Sequence, residues 1–128
     1  MAWNSFTPGW TSSTPPVIGN GTRAGWYKQL GKIVHFKAVI TFGSTTTYGT
    51  GAWAFPLPVT PHANAEGFVA SFLGIQGANR AVGLGSYQSA DGGLVVYASA
   101  GSTLWQSGSP LTWANTGILR YSGTYEAA

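Results

Sequence analysis

The chain has 128 residues, which is enough for one domain with a substantial hydrophobic core. Only 7% of these residues are charged, whereas about 25% are charged in a typical globular protein. This scarcity excludes a conventional disordered chain. It also argues against coiled coils and amphipathic surface helices, because their outer faces are built from charged residues.

The first sixteen residues differ in composition from the rest of the chain. Three prolines and a run of Ser and Thr disfavour a helix, yet Trp3, Phe6 and Trp10 are too apolar for a free tail. We therefore predict an extended N-terminal arm over 1–16, followed by one folded domain over 17–128. The three aromatic side chains are expected to be buried, on the same subunit or on a neighbour, where they anchor the protein.

From residue 17 onward the sequence has the features of a β protein. Asn20-Gly21 is a strong hairpin signal, because both residues tolerate a positive φ angle. In the segment 32–42, apolar residues alternate with mixed ones over eleven positions, which predicts a strand with one face in the core. The core face consists of Val34, Phe36, Ala38, Ile40 and Phe42, and the opposite face of Ile33, His35, Lys37, Val39 and Thr41.

Further strands are predicted at 52–59, 67–75, 80–88, 93–100 and 117–125. In the first of them, Pro56 and Pro58 lack an amide donor, so this strand is expected at a sheet edge or to end near Phe55. Ala90-Asp91-Gly92 is expected to form a hairpin turn. Seven to nine short strands without a helix indicate an all-β fold, which we predict to be a single antiparallel β-sandwich of the jelly-roll type.

Neither a secretion signal nor a membrane segment is indicated. The N-terminus lacks the basic and apolar regions of a signal peptide, and no uncharged apolar run approaches the ~20 residues of a membrane span. The absence of cysteine excludes disulfides and thiolate metal sites.

The basic residues are few and dispersed. Arg23, Lys28, Lys32 and Lys37 share one stretch, whereas Arg80 and Arg120 stand alone. Nucleic-acid binders concentrate such residues into a patch, so no nucleic-acid partner is predicted. Attraction to an anionic surface is favoured over nucleic-acid binding.

Candidate catalytic residues are scarce. The carboxylates are Glu66, Asp91 and Glu126, and a glycosidase needs two of them at a defined separation. His35 lies on a strand beside a lysine, and His62 follows a proline in a loop. The Gly-rich segments miss the spacing of phosphate-binding loops. We therefore predict a protein that is not an enzyme and that uses no metal ion and no cofactor.

Aromatic residues are more numerous than one small core requires: six Trp, six Tyr and six Phe. Such a surplus is typical of subunit interfaces and of flat platforms on which sugars stack. Trp26, Trp53 and Trp113 lie in or beside predicted strands, which favours the core or an interface. Tyr48 and Trp105 lie in loop-like contexts and are the predicted receptor-contact residues.

A longer pattern resembles a β-rich module at the C-terminus of minor tail and tail-fibre proteins of tailed bacteriophages, notably those that infect actinobacteria. The pattern consists of Pro16-Val-Ile-Gly-Asn-Gly-Thr22, Gly25-x-Tyr27, Gly31-Lys32-x-Val34-x-Phe36, Phe42-Gly-Ser-Thr-Thr-Thr-Tyr-Gly-Thr-Gly51-x-Trp53-x-Phe55 and the closing Tyr125-Glu126. The resemblance implies a trimeric virion component, made in the host cytoplasm and exposed on the particle surface. Trimer formation is also expected because a monomer would leave the surplus aromatic surface in water.

The resemblance leaves three roles to compare. The first is a tail knob that contacts other virion proteins and binds host cell-wall glycan. The second, the alternative to the favoured tail knob, is a trimeric capsid-decoration protein held by the arm, a role supported by a module that begins at Met1 without a preceding stalk. The third, a cellular carbohydrate-binding module, is disfavoured because no enzyme domain accompanies it. No role at a membrane is predicted.

Overall fold

The computed structural model describes residues 2–65, 68–98 and 104–128, and within these ranges eight strands form one curled antiparallel sheet. The strands are β1 (Asn4–Phe6), β2 (Thr22–Leu30), β3 (Ile33–Thr41), β4 (Ala54–Phe55), β5 (Val69–Gln76), β6 (Asn79–Gln88), β7 (Gly93–Ala98) and β8 (Ile118–Glu126). Short 3₁₀ helices occupy Ala63–Ala65 and Ser89–Asp91.

The order of the strands across the sheet is β1-β2-β3-β8-β5-β6-β7-β4. The last strand of the chain thus lies in the middle, where it pairs with β3 on one side and with β5 on the other. The all-β prediction is confirmed. The division into two packed sheets is not, because hydrogen bonds join all eight strands into one sheet.

The alternation along the sequence correctly predicted β3 and its buried face. In β3, Val34 and Ile40 are fully buried, whereas His35 and Lys37 on the opposite face are exposed. The predicted edge strand is confirmed as β4, which ends at Phe55 and lies at the end of the sheet. Proline lacks the amide hydrogen that a longer strand would have to donate.

A turn forms at Gly19-Asn20, one residue earlier than predicted, but the segments on its two sides do not pair with each other. Val17 pairs with Thr47, whereas the strand after the turn, β2, pairs with β3. The predicted hairpin is therefore wrong. The Asn20 side chain instead holds a neighbouring loop, since its Oδ1 accepts a hydrogen bond from the backbone N–H of Thr45 at 3.0 Å.

The core lies on the inner side of the curled sheet and is rich in aromatic rings. Four indoles form a continuous series in it, with centroid separations of 5.2 Å for Trp10–Trp53, 5.6 Å for Trp53–Trp113 and 5.7 Å for Trp105–Trp113. All four are at most 5% exposed. Rings at these separations add to the stability that their buried area already provides.

Two glycines on the inner face give the indoles their space. A Cβ atom on Gly74 would lie 2.5 Å from the Trp113 ring, and one on Gly83 would lie 2.9 Å from the Trp105 ring. Any larger residue at these positions would displace a ring. The strands β5 and β6 are thus shaped to receive the loop that carries both tryptophans.

The predicted arm is part of the same fold. At one edge of the sheet, β1 pairs with β2, and at the other edge Thr11 exchanges two backbone hydrogen bonds with Ala54 of β4, at 2.9 and 2.8 Å. Between these contacts Pro8 and Trp10 are buried. The arm therefore connects the two edges of the sheet and covers part of its inner face.

Tyr125 in β8 makes two hydrogen bonds to the loop before the first 3₁₀ helix. Its hydroxyl donates to the carbonyl of Val59 at 2.7 Å and accepts from the N–H of Val59 at 3.0 Å. Burial raises the pKa of Tyr125 to about 12, so the hydroxyl keeps its proton, and the hydrogen bond that it donates, at more alkaline pH than a free tyrosine would.

Removing this hydroxyl is expected to destabilise the fold. Tyr125→Phe leaves two backbone groups of Val59 unpaired, so the free energy of unfolding should fall by about 1–3 kcal/mol in urea titrations. Tyr121→Phe is the matched control, because the buried Tyr121 hydroxyl has no hydrogen-bond partner among the described residues. Its cost should stay below about 1 kcal/mol. Equal losses for the two variants would contradict this assignment.

Candidate functional site

The side of the sheet opposite the core, here called the outer face, holds most of the exposed apolar surface. It is formed by alternate residues of each strand, in register across the sheet. Nine large hydrophobic side chains are exposed in the described ranges, and all except Val17 lie on this face. The eight are Trp3, Trp26, Leu30, Ile33, Val69, Val82, Leu84 and Tyr97.

One part of the outer face, on β5, β6 and β7, is apolar and free of charge. We call it the uncharged patch and define it as Val69, Leu73, Val82, Leu84 and Tyr97. Val82 lies opposite Leu73, and Leu84 lies opposite Tyr97, so the side chains are neighbours across the strands. The cation on these strands is Arg80, which lies beside the turn that joins β5 to β6.

A second part, on the β1, β2, β3 and β8 side, combines indoles with cations. We call it the cationic patch and define it as Trp3, Trp26, Lys28, Lys37 and Arg120. The Nζ atom of Lys37 lies 4.8 Å from the ring centroid of Trp3 and 5.7 Å from that of Trp26. The Nζ atom of Lys28 lies 5.0 Å from the centroid of Trp3. These separations are within the range of cation–π attraction.

The strand register explains this cluster. Trp26 and Lys37 are direct partners across β2 and β3, and Trp3 immediately precedes the strand that pairs with β2. Residues directly opposite on one face have Cβ atoms only about 5 Å apart, so their side chains are forced into contact. The cluster is therefore held by backbone pairing on both sides.

A shallow groove of about 600 Å³ crosses the outer face between the two patches. Trp26 and Val39 line one side, Leu73 and Val82 the other, and Ser71 and Ser122 lie between them. Lys37 and Arg120 also line the groove. It therefore offers an aromatic wall, hydroxyl groups and two cations to a ligand.

Of the two residues predicted to contact a receptor, Trp105 lies in the core and Tyr48 packs against it. Trp105 is fully buried, so neither face of its ring is open to a ligand in this structure. Tyr48 is half-buried, and its ring lies 5.0 Å from Phe42 and 6.2 Å from Trp10, centroid to centroid. Burial also raises the pKa of the Tyr48 hydroxyl. Neither residue is near the outer face.

The three aromatic residues of the arm have different environments. Trp10 is buried in the core of its own subunit, and Phe6 is half-buried against Tyr27, at a centroid separation of 6.1 Å. Trp3 is 40% exposed on the outer face. Of the three predicted anchors, Trp3 is therefore the one whose ring is open to another molecule.

The candidate catalytic residues lie apart from one another in the fold. Asp91 ends the second 3₁₀ helix, and Glu126 ends β8. His35 contacts the Thr124 hydroxyl at 2.9 Å, and His62 accepts a hydrogen bond from the N–H of Asn64 at 2.9 Å. Glu66 lies outside the described residues. In the described ranges no three His, Cys, Asp or Glu residues are grouped as metal ligands would be.

Sequence reasoning did not identify either patch as a site. A signal for the uncharged patch was present in the segment 80–88, where Val82 and Leu84 alternate with Gly83 and Gly85. Glycines on one face indicate that a large ring packs against that face. Because side chains alternate along a strand, the two aliphatic residues must then point outward. The cationic patch carries a weaker signal, since Trp3 and Lys37 meet only through strand pairing.

Among the described residues, no helix has the length and hydropathy that crossing a lipid bilayer requires. Comparisons of the chain with models of protein families, with curated proteins and with solved structures find no match.

Proposed function

We propose that the protein is a non-catalytic structural protein on the surface of a bacteriophage particle, and that it forms a homotrimer through the uncharged patch. The observation that carries the self-association is the exposure of that patch, whereas the virion role rests on the resemblance of the sequence to the phage tail module. Val69, Val82 and Leu84 are each more than half exposed, at 55%, 58% and 55%. Contiguous apolar surface of this kind marks interaction sites in proteins that are stable in water.

The chemistry of the patch supports a second copy of the chain as its occupant. Tyr97 supplies an aromatic anchor of the type enriched at interfaces, and none of the five patch residues carries a charge that burial would leave unpaired. Three sheets around a threefold axis would bury Val69, Leu84 and Tyr97 against one another, with Leu73 and Val82 at the rim of the interface, where they also line the groove. The number three comes from the resemblance to the phage tail module.

The position of the arm favours the tail over the capsid. A capsid-decoration protein held by its arm needs arm side chains that can reach the shell. Here Phe6 packs on Tyr27 and Trp10 is buried in its own core, which leaves Trp3 as the available aromatic. We therefore propose a tail knob or minor tail protein that adheres to host cell-wall glycan, with capsid decoration as the alternative.

The number of copies per particle separates these two locations. In quantitative mass spectrometry of purified particles that carry the protein, we expect its abundance relative to the major capsid protein to correspond to a few trimers. An abundance of hundreds of copies would assign it to the capsid. Its absence from purified particles would contradict a virion role altogether.

A further inference from the structure

We propose that the cationic patch binds an anionic glycan, meaning a saccharide whose rings carry carboxylate or phosphate groups. This inference rests on the proposed role in attachment and names both its ligand class and its binding surface. The groove of about 600 Å³ has the size of a typical ligand site.

The aromatic wall of the groove suits a sugar ring. Trp26, which lines the groove, is 37% exposed, and Trp3, which lies in the cationic patch outside the groove lining, is 40% exposed, so each indole has surface open to solvent. One face of a pyranose ring presents C–H groups, which pack on a flat apolar surface. Because cross-strand pairing with Lys37 and the neighbouring β1 holds Trp26 in place, little conformational entropy is lost on binding.

The charges of the patch point to an anion. Lys28, Lys37 and Arg120 lie on the same face, and neither acidic residue that the structure describes is placed to compensate them. Asp91 lies in the connection between β6 and β7. Glu126 is on the same face of β8 as Arg120, but it lies six residues further along, at the end of the strand. Hydrogen bonds from a lysine or an arginine to a carboxylate or a phosphate are about twice as strong as neutral ones.

The hydroxyl groups between the two walls complete the complementarity. Ser71 and Ser122 are direct partners on β5 and β8 and line the same groove as Lys37 and Arg120. A serine hydroxyl both donates and accepts, as the hydroxyl groups of a sugar do. A nucleic acid is less suited to this surface, because its affinity depends on many phosphate contacts and three cations provide few of them.

The test uses two anionic probes, an oligogalacturonate with carboxylates and a glycerol phosphate oligomer with phosphates. A neutral malto-oligosaccharide and an oligothymidylate serve as comparisons. We expect calorimetric titration of the intact protein to detect at least one anionic probe, with an affinity that falls as salt is added. The probe that binds more tightly identifies the anionic group.

Two lysine variants locate the site. Lys37→Gln should weaken binding of the anionic probe about tenfold, the effect of losing one charged hydrogen bond. Lys32→Gln removes the same charge from the turn between β2 and β3, outside the patch, and should change the affinity by less than about twofold. Unchanged circular dichroism and melting temperature will show that both variants are folded.

Several results would overturn the proposal. With the probes, these are no binding of either anionic probe by the folded protein, equally tight binding of the neutral oligosaccharide, or tighter binding of the oligothymidylate. With the variants, it is an equal loss of affinity for the anionic probe in Lys37→Gln and Lys32→Gln. If neither anionic probe binds but the protein has the mass of a trimer, the glycan site is rejected and the self-association proposal stands. A monomeric mass with specific glycan binding would reject self-association and leave this site standing.

Discussion

Replacing Trp10 by alanine is expected to lower the free energy of unfolding by about 3–5 kcal/mol, as is typical when a buried aromatic side chain is removed. The indole is 5% exposed and lies 5.2 Å from both Phe42 and Trp53, centroid to centroid. Small domains are stable by only about 5–15 kcal/mol, so this variant should be largely unfolded at moderate urea concentrations.

Trp3→Ala is the matched control for this experiment. It removes the same side chain from the same arm, but Trp3 is 40% exposed on the outer face, so its loss should cost less than about 1 kcal/mol. Urea unfolding followed by tryptophan fluorescence measures both variants. Similar costs for the two would mean that the arm does not contribute to the core of its own subunit.

A negative charge in the uncharged patch is expected to convert the proposed trimer into monomers. Leu84 is 55% exposed in the subunit, so Leu84→Glu should fold normally. In the assembled protein, however, the new carboxylate would be buried without a partner, which is strongly destabilising. Size-exclusion chromatography with light scattering should therefore give 13.3 kDa for the variant and three times that mass for the unmodified protein.

Val17→Glu tests whether this effect is specific to the patch. Val17 is 58% exposed, similar to Leu84, but it lies outside the eight strands of the sheet. The variant should keep the trimeric mass. If Val17→Glu dissociates the trimer while Leu84→Glu does not, the subunits associate through a different surface.

The strands were predictable from the sequence wherever one face is buried. In β3 the alternation of apolar and mixed residues is regular, and Phe36 lies on the buried face that it predicts. The edge position of β4 was predictable from Pro56. The location of a strand and its buried face depend on residues that are adjacent in the chain, so the local sequence pattern is enough to predict them.

The topology and the site depend on pairings between distant residues, which the local pattern does not contain. The placement of β8 between β3 and β5 joins segments about eighty residues apart in sequence, such as Lys37 and Ser122. The burial of Trp105, which lies outside the strands, depends on Gly83 in β6. A loop-like context for Trp105 was therefore a poor guide to its exposure, and the cationic patch became visible only after the register was known.

The most direct test of self-association through the outer face is the mass of the unmodified protein by sedimentation equilibrium over a range of micromolar concentrations. We predict three times the subunit mass of 13.3 kDa, with dissociation only on dilution. A mass of 13.3 kDa at every concentration would contradict the proposal, because the uncharged patch would then be stable in water without a partner.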